Sequence, residues 1–243
     1  MLFGRKFALL IAVLAFLVLI PATLNATPRK VHVVALGAVK RVPYSKAGDP
    51  AGAKTGEDSL KIRPLIVDGI VKEWTTGESH DVTDRSFVVR RVLRINDELP
   101  GEKPAKLGTP WVWQRGPWLL VDRVTGHIAA LKLPDYDPGV SQVVWFRDYA
   151  AYCGITSSGK NLYAVVSQLA VHKPVLAKKL DGFDPASRTE PVCATPEWQR
   201  EPLRATFQPT GKDPISFDVI LGSAVLVEDS EDTTEAAAPA KTN

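Results

Sequence analysis

The sequence predicts an all-β protein assembled from antiparallel hairpins. Short apolar runs rich in Val, Ile and aromatic residues alternate with compact turn signals, as consecutive strands do. No plausible amphipathic helix competes with that pattern. Four hairpin-like segments turn at Asp68-Gly69, over Asp122–Gly126, over Gln168–His172 and near Leu221-Gly222. Their centres lie about 56, 46 and 52 residues apart, close to one period of roughly 50.

A chain of 243 residues can hold one sizeable core. Its 45% hydrophobic and 23% charged content excludes wholesale disorder. The net charge of +3 is unevenly spread, because the acidic excess sits in the last sixteen residues and leaves 27–227 mildly basic. That falls short of the Lys/Arg stripe of a nucleic-acid binder, so nucleic acid is not an expected partner.

The N-terminal element is a targeting signal rather than part of the fold. Arg5 and Lys6 precede an unbroken apolar run of fourteen residues, Phe7 to Ile20, which Pro21 ends. Small residues follow at Ala22 and Ala26. The run is shorter than the roughly 20 apolar residues of a comfortable membrane span, and residues 1–26 fit a secretory signal peptide. Leu24 is a poor cleavage-site residue, so an uncleaved anchor tethering residues 7–20 in the membrane is the alternative. No Cys follows the run, which argues against a lipoprotein. The remainder is expected in the periplasm or outside the cell, or anchored in the inner membrane facing the periplasm.

A single β-rich domain is expected over 27–227. Residues 30–42 are β-branched and read as one long strand or two short ones. Residues 45–59 are Gly, Ala, Lys and Asp with little to bury, a surface loop. The sharpest hairpin follows, KIRPLIV-DG-IVKEW, whose Asp68-Gly69 suits a two-residue type I′ turn. Thr75 to Asp84 is polar and turn-rich. Arg85 to Ile95 reads as a strand with Arg90, Arg91 and Arg94 at polar positions, although Val88, Val89, Val92 and Ile95 also fit a helical spacing. A Pro- and Gly-rich loop over 96–110 leads to Trp111 and Trp113, and Gly116-Pro117 opens the most ordered stretch, 117–180. Beyond Leu180 the chain is loop-like until three closing strands at 204–208, 215–220 and 223–227. The tail 228–243 is acidic and expected to be disordered.

Cys153 and Cys193 are the two cysteines of the chain. Export favours their bridging, which would close about forty residues and contribute about 3–4 kcal/mol. Two buried free thiols are the alternative. There is no CxxC motif and no Cys/His signature of a catalytic thiol.

The clearest four-strand unit is SQVVWFRD/YAAYCGIT ahead of NLYAVVSQL/KPVLAKKL. Trp145-Phe146-Arg147-Asp148, Tyr149-Ala150-Ala151-Tyr152, Ser158-Gly159-Lys160-Asn161-Leu162-Tyr163 and Lys173-Pro174-Val175-Leu176 together resemble a blade of the broad β-propeller class. Asp122 to Gly126 is similar to the outer turn of such blades. The resemblance implies a small four-unit β-propeller-like array of antiparallel hairpins. An open fragment of such a ring and a twisted β-sandwich are the alternatives. The whole chain also resembles uncharacterised exported bacterial proteins, which implies no activity.

For chemistry, Glu78-Ser79-His80-Asp81-Val82-Thr83-Asp84 is the richest polar segment. His80 with Asp81 and Asp84 could ligate a metal or orient a general base, but a loop whose Ser79, Asp81 and Thr83 cap turns explains the same residues. His32, His127 and His172 are isolated. Asp135-Tyr136-Asp137-Pro138-Gly139 lacks the later ligands of a calcium loop and reads as a turn. Gly154–Gly159 is not a nucleophile elbow, and no phosphate-cradling loop is present. No cofactor is implied. Trp111, Trp113 and Trp118, with Arg115 between them, form either a core cluster or a platform for a sugar or peptide. Arg90, Arg91 and Arg94 form a solvated face or an anion patch. The expected function is therefore a non-catalytic exported binding or scaffold module of a bacterial cell envelope, engaging a protein or glycan. The alternatives are a metal-assisted hydrolase built on His80, Asp81 and Asp84, and a membrane-tethered accessory subunit.

Overall fold

The computed structural model describes residues 31–45, 59–96, 101, 111–138, 140–169, 171, 173–187, 192–220 and 223–227. The expected signal segment 1–26, most of the expected loops at 45–59 and 96–110, His172, Leu221-Gly222 and the tail 228–243 lie outside them. All the described strands belong to one compact unit, His32–Asn243. They are antiparallel, no α-helix occurs among the described residues, and Pro185–Ser187 forms a single 3-10 turn.

The first described residues form two short strands, β1 (Val34–Leu36) and β2 (Lys40–Pro43), the second of the two readings the sequence allowed. Both pair with the same neighbour, β3 (Ser59–Val67), one after the other along its length. Asp68 and Gly69 then turn the chain with φ of 51° and 79°. Two consecutive positive φ values are what a type I′ turn requires, and Gly tolerates the second at no steric cost. The turn leads into β4 (Ile70–Asp81), followed by β5 (Ser86–Asn96), β6 (Trp111–Asp122) and β7 (Ile128–Ala130). These seven strands form one sheet in the order β1-β3-β4-β5-β6-β7, with β2 also on β3.

Two irregularities in this sheet differ from the sequence expectation. Thr75 to Asp81 is strand rather than a turn-rich loop, because a bulge between Thr75 and Ser79 absorbs the extra residues around Gly77. Gly116-Pro117 lies within β6, opposite Arg91, where the register shifts between Arg90 and Val92. A proline without an N–H is tolerated at such a bulge because no ladder bond is asked of it there.

The sheet coils until its margins touch. His32 N donates to Val124 O at 3.1 Å, Ser45 N donates to Trp113 O at 2.8 Å, and Tyr44 makes a lone parallel bridge to Trp113. No continuous ladder joins the edges, so the sheet is not a closed barrel. Leu65, Phe87, Val89, Leu119 and Val121 pack together, as do Leu60, Ile62 and Val92 with Trp74 and Trp113.

The second sheet is a four-strand meander: β8 (Val144–Phe146), β9 (Tyr149–Ile155), β10 (Leu162–Gln168) and β11 (Leu176–Leu180). The third is another: β12 (Glu197–Gln199), β13 (Arg204–Phe207), β14 (Ile215–Ile220) and β15 (Ser223–Leu226). Only β12 had no strand signal, being three residues among polar neighbours. Every residue of β9 is buried. One of its faces (Ala151, Cys153, Ile155) packs with Ala205, Phe207, Phe217 and Val219 of the third sheet. The other, Ala150 and Tyr152, packs with Leu133, Tyr136 and Trp145. Cys153 is bonded to Cys193 with their Cα atoms 6.3 Å apart, so the bridge ties the second sheet to the segment entering the third. A disulfide of this kind persists in oxidising compartments.

The fifty-residue spacing predicts four units, and the described residues form three sheets. The hairpins at Asp68-Gly69 and Asp122–Gly126 account for the difference, because both belong to the first sheet.

Candidate functional site

The two groups of residues singled out in the sequence have different fates. His80 and Asp81 are neighbours on β4, so their side chains leave the sheet on opposite faces. His80 Nε2 donates to the Arg147 carbonyl at 2.8 Å, and its ring stacks on Trp145 with centroids 6.2 Å apart. Asp81 pairs instead with Arg123 at 2.6 Å, and the Arg123 guanidinium lies 4.6 Å over the Phe87 ring. Arg123 also reaches the carbonyls of Thr83 and Asp84. The three residues are thus not brought together: His80 joins the first sheet to the second, and Arg123 holds Asp81 and the Asp84 backbone at the β4–β5 turn. Among the described residues no group of three or more His, Cys, Asp and Glu is arranged to hold a metal ion.

Electrostatics near that turn are structural too. The Asp122 carboxylate accepts the backbone N–H groups of Val124 at 2.8 Å and Thr125 at 3.0 Å and bonds to Arg85. The Thr125 N–H above all, then Arg85, holds its pKa down at about 2. On the far side of the second sheet's core, Tyr152 donates its hydroxyl to Pro134 O at 2.7 Å, and burial raises its pKa well above the ordinary phenol value. Both groups are occupied in holding turns.

The tryptophans of β6 are brought together on one face. Trp111, Trp113 and Arg115 alternate along the strand, and Trp118 sits at an odd offset from them. The bulge at Gly116-Pro117 corrects that offset. Trp118 pairs with Arg90, Arg115 with Val92, Trp113 with Arg94 and Trp111 with Asn96, and those four partners alternate regularly along β5. Cross-strand partners share a face, so all four β6 residues point the same way.

Along that face the environment changes from core to surface. Trp118 is 7% exposed and meets Trp145 of the second sheet edge-on at 5.3 Å. Arg90, its partner, is 4% exposed and donates to Gly116 O. Trp113 is half-buried, edge-on to Trp74 at 5.7 Å. Trp111, at the outer end, is 45% exposed. Three aromatic rings at this end carry a cation: Arg94 lies 5.4 Å from the Trp111 ring, Lys40 5.3 Å from Trp74 and Arg115 5.7 Å from Tyr44. Such pairs orient flat aromatic surfaces while leaving positive charge at their rims. The three arginines of β5 therefore divide. Arg90 is buried, Arg91 pairs with Glu73 at 2.9 Å on the opposite face, and Arg94 is exposed.

Beside this face a cleft of about 420 Å³ is lined by Leu60, Lys61, Arg63, Glu78 and Arg115, among others. Lys61 lies directly opposite Arg41 in the β2–β3 ladder. Lys40, Arg41, Tyr44, Lys61 and Trp74 had drawn no attention in the sequence. Their grouping depends on β2 pairing with β3, a register that residues 40–74 do not announce, although Lys40-Arg41 so close to Tyr44 was an available hint. The arrangement places flat aromatic surfaces beside positive charge. Comparison of the chain with protein-family models, with curated proteins and with solved structures finds no match.

Proposed function

We propose that the protein is a non-catalytic, exported binding module of a cell envelope, engaging a protein or glycan partner through the β6 face that carries Trp111, Trp113 and Arg115. One observation carries this reading: a graded aromatic strip, anchored in the core at Trp118, ends in an exposed indole flanked by Arg94. A rigid strand whose rings are fixed by edge-on contacts presents such a platform with little entropy left to lose on binding. Export is supported by the apolar run Phe7–Ile20 behind Arg5 and Lys6, and by the disulfide.

The architecture is read as propeller-like: consecutive meanders stacked on one another in chain order, of which the second keeps the blade-like sequence at 144–180. An experimental structure in which the sheets do not fan about a common axis would refute that. The binding reading is tested by co-sedimentation of the purified protein with isolated envelope fragments. The protein should pellet with them, and Trp111→Ala with Arg94→Ala should stay in the supernatant while melting normally. Equal pelleting of the variant would overturn the assignment of this face.

A further inference from the structure

We propose that the acidic tail 228–243 docks on the outer edge of β11, where Glu231 and Asp232 pair with Lys179 and Lys178. Position, an open strand edge and charge converge on this occupant.

The second and third sheets stack in matching order. β12 lies against β8 and β13 against β9, so β11 and β15 are the outermost strands on the same side. β11 pairs with β10, and no described strand pairs with its other edge. Such an edge presents a row of backbone N–H and C=O groups to any strand that fits it. β15 ends where Val227 N donates to Ser216 O at 3.0 Å, near the start of β14. The turn before β14 carries Lys212, whose side chain lies against Gly182, two residues beyond the end of β11. Chain continuing past Val227 therefore starts beside the Leu180 end of β11. Packed sheets lie about 10 Å apart, a gap that about three extended residues cross. Glu228 to Ser230 make that crossing, and Glu231 and Asp232 reach the edge running antiparallel to β11.

The charges match. Lys173, Lys178, Lys179 and Lys212 are exposed, and among the described residues none forms an ion pair. Asp181 and Asp213, in the adjoining turns, form none either and leave the edge net positive. The tail brings Glu228, Asp229, Glu231, Asp232 and Glu235 before its first lysine, Lys241. Lys178 shares the face of Leu176 and Leu180, and Lys179 takes the opposite one. Consecutive residues of an added strand divide in the same way, so adjacent carboxylates meet adjacent lysines, one pair on each face. Opposite charges facing each other across a ladder stabilise it. A second copy of this edge would instead set lysine against lysine. The tail is also tethered beside its site, which raises its effective concentration far above that of a free peptide.

The test is amide hydrogen exchange of the intact protein, read by NMR in low salt. Amides of 231–235 should exchange about tenfold more slowly than those of an unstructured chain, and lose that protection at about 0.5 M salt, where exposed charges are screened within a few ångströms. Lys178→Glu with Lys179→Glu should abolish the protection and leave the melting temperature unchanged, and so should Glu231→Lys with Asp232→Lys. Combining all four substitutions should restore it, which a merely damaged edge would not do. Tail amides that exchange freely in the wild-type protein would overturn the docking. Protection that survives the lysine substitutions would overturn β11 as its place. Protection that rises with protein concentration would overturn the intramolecular contact in favour of tails exchanged between copies. A freely exchanging tail, with β11 protected only by added polyglutamate, would give the edge to an acidic partner instead.

Discussion

Removing the Cys153–Cys193 bond tests how the second and third sheets are held together. The bond closes a segment of 40 residues, and both cysteines are almost fully buried in the apolar layer between the sheets. Restricting the unfolded chain by a loop of that length is worth about 4 kcal/mol at 25 °C. The double variant Cys153→Ala/Cys193→Ala keeps apolar side chains in the layer, so most of its loss is that constraint. With a urea slope of about 2 kcal/mol per molar for a domain this size, the unfolding midpoint should fall by about 2 M. The thermal midpoint should fall by about 10 °C. Tryptophan fluorescence reports the transition directly, since Trp145 and Trp198 lie on strands of the second and third sheets. Reduced wild-type protein should unfold at nearly the same urea concentration as the double variant. A midpoint shift below about 0.5 M would refute the claim that this bond is a main tie between the two sheets.

Three further outcomes follow from packing and charge. Phe207→Ala, at a fully buried site facing Phe217 at 6.1 Å, should cost about 3–5 kcal/mol in urea unfolding. Gly126→Ala should cost about 1–3 kcal/mol, because φ is +64° and a Cβ would come within 2.6 Å of Val67 Cγ1; an unchanged midpoint would contradict that geometry. Asp122 has a pKa lowered from 3.8 to about 2, so the stability it lends is present above about pH 4 and lost as pH falls towards 2. Asp122→Asn should flatten that part of the acid limb in urea midpoints measured from pH 5 to pH 2, and a carboxyl titration by NMR should place Asp122 at about 2.

How much of this was legible from residues alone depended on how local the cause was. The Asp68-Gly69 turn was, because a type I′ turn is specified by its own two residues. The strands of 144–180 were, because β-branched runs and a Ser-Gly-Lys turn act within a few positions. The cysteine pairing followed from there being only two cysteines. Thr75 to Asp81 was misread because its polarity suggested a loop, while its pairing is enforced by β5 and by Thr75 donating to the Arg63 carbonyl. Trp118 shares a face with Trp111 and Trp113 only through a bulge, which alternation alone would deny. His80 and Asp81 looked like partners because they are adjacent, and adjacency on a strand is what separates them. The cleft lined by Lys61, Arg63 and Arg115 was illegible, since these residues come to one place only through register and coiling.

The stacking of sheets in chain order has a consequence for how the molecule is made. Each sheet is a contiguous piece of chain, so the first can form before the last has been synthesised. The second sheet is different, because the face bearing Ala151, Cys153 and Ile155 has no cover until Ala205, Phe207, Phe217 and Val219 arrive. A chain halted before Val192 would display an adhesive apolar surface and an unpaired thiol, both of which invite aggregation, mixed disulfides and proteolysis. The final meander thus works as a seal: until it closes, every copy is marked as unfinished.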